Sequence, residues 1–244
     1  DKMDELTDEI LDLVGDPSIG GSWARRGLVI GDVQSGKTST YMALFNKAAD
    51  AGYRLIIVLA GSTELLRQQT QQRVDEGFIG RDSRLNVDRA GVSTSPHRYV
   101  GIGLLDKTLA RANGMTTVMR DFRKSSFEAT NIQVSSTSPE PYVFVVKKNK
   151  SVLTALASWL DQQPRNQGRL DIPVLLLDDE SDYASVNTRE ETNPTAINAG
   201  IRGVLDRFSR SSYLAFTATP FANIFIDNDN TNDLFPRDFV YALE

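Results

Sequence analysis

The chain has 244 residues, 40% of them hydrophobic and 24% charged, with one histidine, no cysteine and a formal net charge of −5. This size suits one large domain, or one domain with an insertion. The composition excludes disulfides, thiolate metal sites and a histidine-cluster metal centre, and it leaves no global basic footprint for nucleic acid. No apolar run approaches bilayer-spanning length and no secretory signal pattern opens the chain, so the expectation is a cytoplasmic protein with no membrane partner.

Residues 3–14 read as a short amphipathic helix with Leu6, Ile10, Leu13 and Val14 on one face. Asp16-Pro17 and Gly20-Gly21 end it, so residues 1–22 read as an N-terminal helix and linker. The apolar run Leu28-Val29-Ile30 closes a strand over 27–30. It leads into Gly31-Asp32-Val33-Gln34-Ser35-Gly36-Lys37-Thr38, which satisfies G-x-x-x-x-G-K-[ST] with no mismatch. Residues 38–51 then read as a helix, with Gly52 as its C-cap. In a strand–loop–helix context this pattern is a phosphate cradle. Its glycines let the backbone curl, so that successive N–H groups face one anion. The candidate nucleotide contacts are Gly31, Val33, Gln34, Ser35, Gly36, Lys37 and Thr38. Lys37 supplies a point charge for the β- and γ-phosphates. The Thr38 hydroxyl can sit on magnesium, and the helix N-terminus favours negative charge. Asp32 is an unfavourable neighbour for phosphate unless it faces solvent or a partner.

Trp23, Arg25 and Arg26 precede the phosphate strand. Stacking of Arg26 on an adenine base is one reading of them, and a capped loop is the other. A second buried strand is predicted over 54–60 and a helix over 64–74, with Ser62 or Thr63 as its N-cap. Ser62, Thr63 and Arg67 can contact a nucleic-acid backbone, although capping alone also explains the hydroxyls. Residues 80–140 read as an elaboration with short helical pieces such as 104–112. From Arg81 to Glu140 nine basic residues face six acidic ones, so this stretch carries +3 and the rest −8. His97 falls there and reads as a loop residue without chemistry.

Further strands are predicted at 142–146, 172–177, 213–216 and 238–243, and helices at 152–160 and 196–208. Lys147, Lys148 and Lys150 follow the 142–146 strand and either track phosphates or solubilise. The 172–177 strand runs into Asp178-Asp179-Glu180. If it lies beside the phosphate strand, Asp179 can hold magnesium through water and Glu180 can polarise the attacking water. Asp178 and Asp179 face opposite ways on a strand, so which of them is the metal acid stays open. Thr217 and Thr219 end the 213–216 strand, where their hydroxyls can bond the acid cluster and register the γ-phosphate. The alternation of strands and helices implies an α/β fold, a mainly parallel sheet with helices on both faces and ligands at the carboxyl edge. Both chain ends read as cuts in a longer protein.

These segments occur in the order of the motifs of superfamily-two helicases. Gly31 to Thr38 is like the first motif. Leu59 to Gln69 resembles the next, which in that family touches the DNA or RNA backbone. Asp179-Glu180-Ser181-Asp182 is similar to the D-E-x-D/H box, and Thr217-Ala218-Thr219 to the S/T-A-T motif that couples hydrolysis to movement. More narrowly, Gly27 to Thr38, Lys47 to Arg54, Asp178 to Ser185 and Thr217 to Phe225 resemble the bacterial family called the Z-one domain, which carries an endonuclease label. The resemblance covers most of 23–244. It implies a RecA-like P-loop NTPase domain over 23–244 that uses ATP and Mg2+, as the first motor lobe with the second lobe absent. It also implies DNA, and a MutL-like or MORC-like ATPase, as partners in anti-phage defence. A superfamily-two motor takes an arginine from its second lobe; Arg202, Arg207 and Arg210 read as surface residues instead, so hydrolysis by this chain alone is expected to be weak. No D-x-K or E-x-K occurs, so any nuclease centre is expected elsewhere in the protein or in a partner. A nucleotide-gated switch or assembly module is the alternative.

Overall fold

The computed structural model describes residues 2–31, 36–84, 98–181, 196–219 and 234–243. In chain order it holds helix α1 (Lys2–Leu13), strand β1 (Trp23–Ile30), α2 (Lys37–Ala51), β2 (Leu55–Ala60), and α3 (Glu64–Val74), which runs into a π-helical turn at Asp75–Ile79. Next come α4 (Ile102–Leu105), a 3-10 turn (Lys107–Leu109), β3 (Asn113–Gly114), α5 (Lys124–Thr130), β4 (Tyr142–Val146) and α6 (Lys150–Leu160). β5 (Val174–Asp179), α7 (Ala196–Leu205), β6 (Arg210–Thr217) and β7 (Phe239–Ala242) complete it. Among the described residues seven strands form one sheet in the order β3-β4-β2-β5-β6-β1-β7. Every pairing is parallel. The fold is therefore α/β with a parallel sheet, as the strand–helix alternation predicts.

The central strands are apolar on both sides because both faces are covered. All six residues of β2 are buried. Alternation splits the sheet residues between two cores. Leu28, Val174, Leu176, Tyr213 and Ala215 pack with α6 and α7 on one face. Val29, Leu175, Leu177, Leu214 and Phe216 pack with α1 and α2 on the other. Ile10 of α1 and Val14 just beyond it share that second core with Phe45 and Ala48 of α2, and Lys47 of α2 ion-pairs with Asp4 and Asp8 of α1.

Several boundaries differ from the sequence reading. β1 begins at Trp23 and β6 at Arg210, because Trp23 to Arg26 pair in register with Arg210 to Tyr213. β5 runs two residues past Leu177, which places Asp178 and Asp179 inside the strand. The helix expected over 104–112 is instead α4 followed by a separate 3-10 turn. Asp106 breaks it by adopting extended backbone and accepting from Thr108 N. α7 stops at Leu205, short of 208.

The 80–140 elaboration is packed onto the sheet at several points. β3 extends the sheet edge beside β4. Phe122 stacks on Phe127, with ring centroids 4.8 Å apart, and both rings meet Trp159. A buried polar chain ties the same region down. Val145 N donates to Thr116 Oγ1, which donates to Gln71 Oε1 at 2.7 Å. Gln71 Nε2 donates to Asp75 Oδ1 at 2.9 Å, and Ser83 N and Oγ donate to Asp75 Oδ2.

Burial pushes the Asp75 carboxyl up from the ordinary 3.8 to about 6, against the pull of its hydrogen bonds. The native state then holds a proton that the unfolded chain releases between roughly pH 4 and 6. This group's contribution to stability is fully present below the unfolded pKa and is lost as pH rises through about 6. Chemical denaturation at pH 5 and pH 7 should show the protein gaining about 1 kcal/mol from this group at the lower pH. Asp75→Asn should flatten that dependence; an unchanged slope contradicts the assignment.

Candidate nucleotide site

Loops at the carboxyl edge of a parallel sheet gather on one rim, and two adjacent carbonyls of β6 organise this one. Thr217 O accepts from Gly31 N at 3.0 Å, holding the start of the phosphate loop. Phe216 O accepts from Ser181 N at 3.0 Å, holding the turn after β5. The acidic strand does not lie beside β1, the arrangement on which the sequence reading made the metal role of Asp179 conditional. β6 stands between them, pairing Thr217 with Ile30 and Phe216 with Asp179. Two strand spacings separate β1 from β5 by about 10 Å.

Gly36 precedes α2 with φ 75°, a left-handed conformation that a side chain would strain. Lys37 Nζ donates to Gly31 O at 2.7 Å, so the lysine lies back across the loop it closes. Asp32, Val33, Gln34 and Ser35 lie outside the described residues, as do His97, Asp182 and the segment after Thr219 as far as 233.

The two acids of β5 separate by face. Asp178 points to the α6–α7 side, is fully buried, and lies 2.9 Å from the equally buried Lys148. Tyr213 donates to its other oxygen at 2.7 Å. Asp178 is thus spent on structure. Asp179 points to the α2 side, where Tyr41 OH approaches its Oδ2 at 3.4 Å. The Thr38 side chain lies close enough to the same phenol to favour its ionisation. Thr38 and Asp179 therefore flank one hydroxyl. Burial, then the Asp179 charge, holds that phenol protonated far above its ordinary range. Burial raises the Asp179 carboxyl, and the neighbouring Glu180 charge raises it further. A cation beside Asp179 would relieve both effects.

Glu180 is exposed and adopts φ 55°, in the left-handed region. For a non-glycine residue this is an uncommon turn. Lys148 Nζ, donating to Glu180 O at 2.6 Å, and the Ser181–Phe216 bond hold it. Thr217 is almost fully buried, and its hydroxyl accepts from Thr219 N at 2.9 Å. Thr217 thus links the phosphate loop, through its carbonyl, to the Thr219 turn.

Other expected residues go elsewhere. Arg67 is fully buried. Its guanidinium donates to Glu64 Oε1, Thr117 O and Val118 O. It cannot reach a nucleic-acid backbone, and instead it pins the 117–118 segment to α3. Thr63 caps α3, accepting from Leu66 N. Ser62 stands half-buried beside it at the carboxyl edge of β2. Lys148 is no phosphate tracker, being consumed by Asp178 and Glu180 O. Lys147 pairs with Glu64 at 3.0 Å. Arg26 does not stand in a loop beside the nucleotide. It lies within β1 opposite Tyr213, in a cleft at the amino edge lined also by Arg25, Arg169 and Leu205. Trp23 packs edge-on against Tyr53 and donates to Ile19 O. Arg207 bonds Asp161, and Arg210 bonds Asp171 and Pro17 O.

Two members of the site escaped the sequence reading. Tyr41 sits one helical turn after Lys37, a spacing that puts both on one helix face and was there to be read. Arg73, at the end of α3, donates to Thr38 Oγ1 at 3.2 Å. Nothing local in the sequence signals that contact across 35 residues.

Among the described residues no group of three or more acidic or imidazole side chains is arranged to hold a metal by itself. A hydroxyl and one carboxylate suit a magnesium ion that takes its other ligands from phosphate and water. Among the described residues no helix is long and apolar enough to cross a membrane.

No family model and no curated protein matches the sequence. Among solved structures, the helicase domain of Hef from Pyrococcus furiosus is similar to 89% of this chain at 11% identity with a TM-score of 0.47. The match covers 34% of that chain, so the present chain spans about a third of its length.

Removing Lys148 should strand a buried carboxylate. Lys148→Met should cost about 3–5 kcal/mol in urea denaturation. The double variant Lys148→Met/Asp178→Leu should recover much of that loss. Equal losses in the single and double variants would show that the pair is not the source.

Proposed function

We propose that this chain binds ATP with Mg2+ and hydrolyses it as the first lobe of a superfamily-two-type nucleic-acid translocase. The observation that supports the reading is the Tyr41 hydroxyl, which approaches the rim acid Asp179 at 3.4 Å and neighbours the Thr38 side chain. In this reading the backbone from Gly31 to Gly36 cradles the phosphates. Lys37 leaves Gly31 O to meet the β- and γ-phosphates. Thr38 and Asp179 hold the magnesium, whose charge would stabilise the transferring phosphoryl group. Glu180, exposed at the rim, orients and deprotonates the attacking water. Thr217 and Thr219 carry the state of the loop to the β6 turn.

The nucleic-acid side of the reading rests on Ser62 and Thr63. Beside them is an open cleft of about 570 Å³ whose lining includes Gln68, Arg120, Arg123 and Lys147 together with the carboxylates of Glu64 and Asp121. Phosphate recognition there would be positional rather than sequence-reading. Membership of the Z-one domain family, DNA as the track, and a MutL-like or MORC-like ATPase partner in anti-phage defence belong to the same proposal. They rest on the quoted motifs alone. The alternative is a nucleotide-gated switch or assembly module serving a nuclease elsewhere. Arg207 and Arg210 are occupied by Asp161 and Asp171, which both readings expect.

Calorimetry with ATP should show Lys37→Ala losing at least tenfold in affinity, the scale of a charged contact to phosphate; an unchanged affinity ends the proposal. In the presence of its second lobe, Glu180→Gln should keep nucleotide binding and stop phosphate release. Retained turnover removes Glu180 from its role.

A further inference from the structure

Arg73 is exposed, on the last turn of α3, yet its Nη1 donates to the Thr38 hydroxyl at 3.2 Å. Its charge also reaches the buried Tyr41 phenol, whose ionisation it favours. The guanidinium therefore stands over the oxygen that the nucleotide reading, on which this inference rests, assigns to magnesium. Magnesium binds a hydroxyl oxygen at about 2.0–2.1 Å and keeps several waters around it. A guanidinium nitrogen already 3.2 Å from that oxygen would crowd those waters and repel the ion. The two cations therefore compete at Thr38.

We propose that Arg73 is a displaceable stand-in for the metal, held on Thr38 before nucleotide binds and transferred to a phosphate oxygen when magnesium takes its place. Several groups surround this position. Lys37 is engaged with Gly31 O. Asp179 pairs with Tyr41, whose phenol neighbours Thr38. Once the metal arrives, the phosphate chain offers Arg73 a new negative partner. A planar guanidinium suits that partner. Arg73 is thus a positioning residue that couples nucleotide affinity to magnesium.

A competing role is simple complementation of the negative end of α3 by a basic side chain. That role affects stability and leaves metal dependence alone. The test uses the full chain and a non-hydrolysable ATP analogue, with affinity followed by calorimetry at a series of Mg2+ concentrations. Arg73→Ala should bind the analogue about tenfold more weakly without metal, and should reach half-saturation at a several-fold lower Mg2+ concentration. Arg73→Lys should restore part of the metal-free affinity. Thermal melting of Arg73→Ala and Arg73→Gln checks the fold, and either variant serves. An Mg2+ requirement equal to that of the parent overturns the inference. If Lys37→Ala also leaves affinity unchanged, the nucleotide site itself is wrong. If Lys37→Ala loses affinity and Arg73→Ala does not change the Mg2+ requirement, only the role of Arg73 falls.

Discussion

The rim depends on two neighbouring carbonyls of one buried strand. Phe216 O holds the turn after the acidic strand, and Thr217 O holds the start of the phosphate loop. Because β6 is buried on both faces, these acceptors have little freedom, and unpaired buried backbone groups are costly. The distance between the loop and the acid is therefore a property of the sheet, at about two strand spacings. It does not depend on flexible side chains.

Electrostatics then assigns the acids their roles. Two adjacent carboxylates at a strand end repel each other, and alternation sends them to opposite faces. Lys148 neutralises Asp178 inside the protein, with Tyr213 completing the partnership. Asp179 keeps an unfavourable environment, raised by burial and by Glu180. Perturbed carboxylates of this kind mark places where a cation would be welcome. Lys148 has a second task. By donating to Glu180 O it also steadies the left-handed turn that exposes the Glu180 side chain. One buried lysine thus serves both the core and the rim.

Much of this was legible in the sequence where the cause is local. The unbroken apolar run Leu55–Ala60 signals a strand covered on both faces, and it is one. The glycine–lysine–threonine spacing signals a curled loop before a helix, and Gly36 takes the left-handed conformation it requires. Legibility fails where the cause is distant. Arg67 looks like an exposed helix-start cation, but its partners are the carbonyls of Thr117 and Val118, some fifty residues on. Arg26 looks adjacent to the loop in sequence, but strand direction and alternation carry it to the other edge and face. Strand order is a tertiary fact, so the interposition of β6 could not be read from the spacing of motifs. Phe122 and Phe127 show no periodic pattern, yet they anchor the elaboration to Trp159.

The central claim is that Thr38 and Asp179 frame a magnesium–triphosphate across β6. Affinity for a non-hydrolysable ATP analogue, measured with and without Mg2+ in the parent chain and in Asp179→Asn, tests it most directly. The account predicts that Mg2+ strengthens binding in the parent, and that the substitution removes most of this gain while sparing metal-free binding. Full retention of the Mg2+ effect in Asp179→Asn would contradict it.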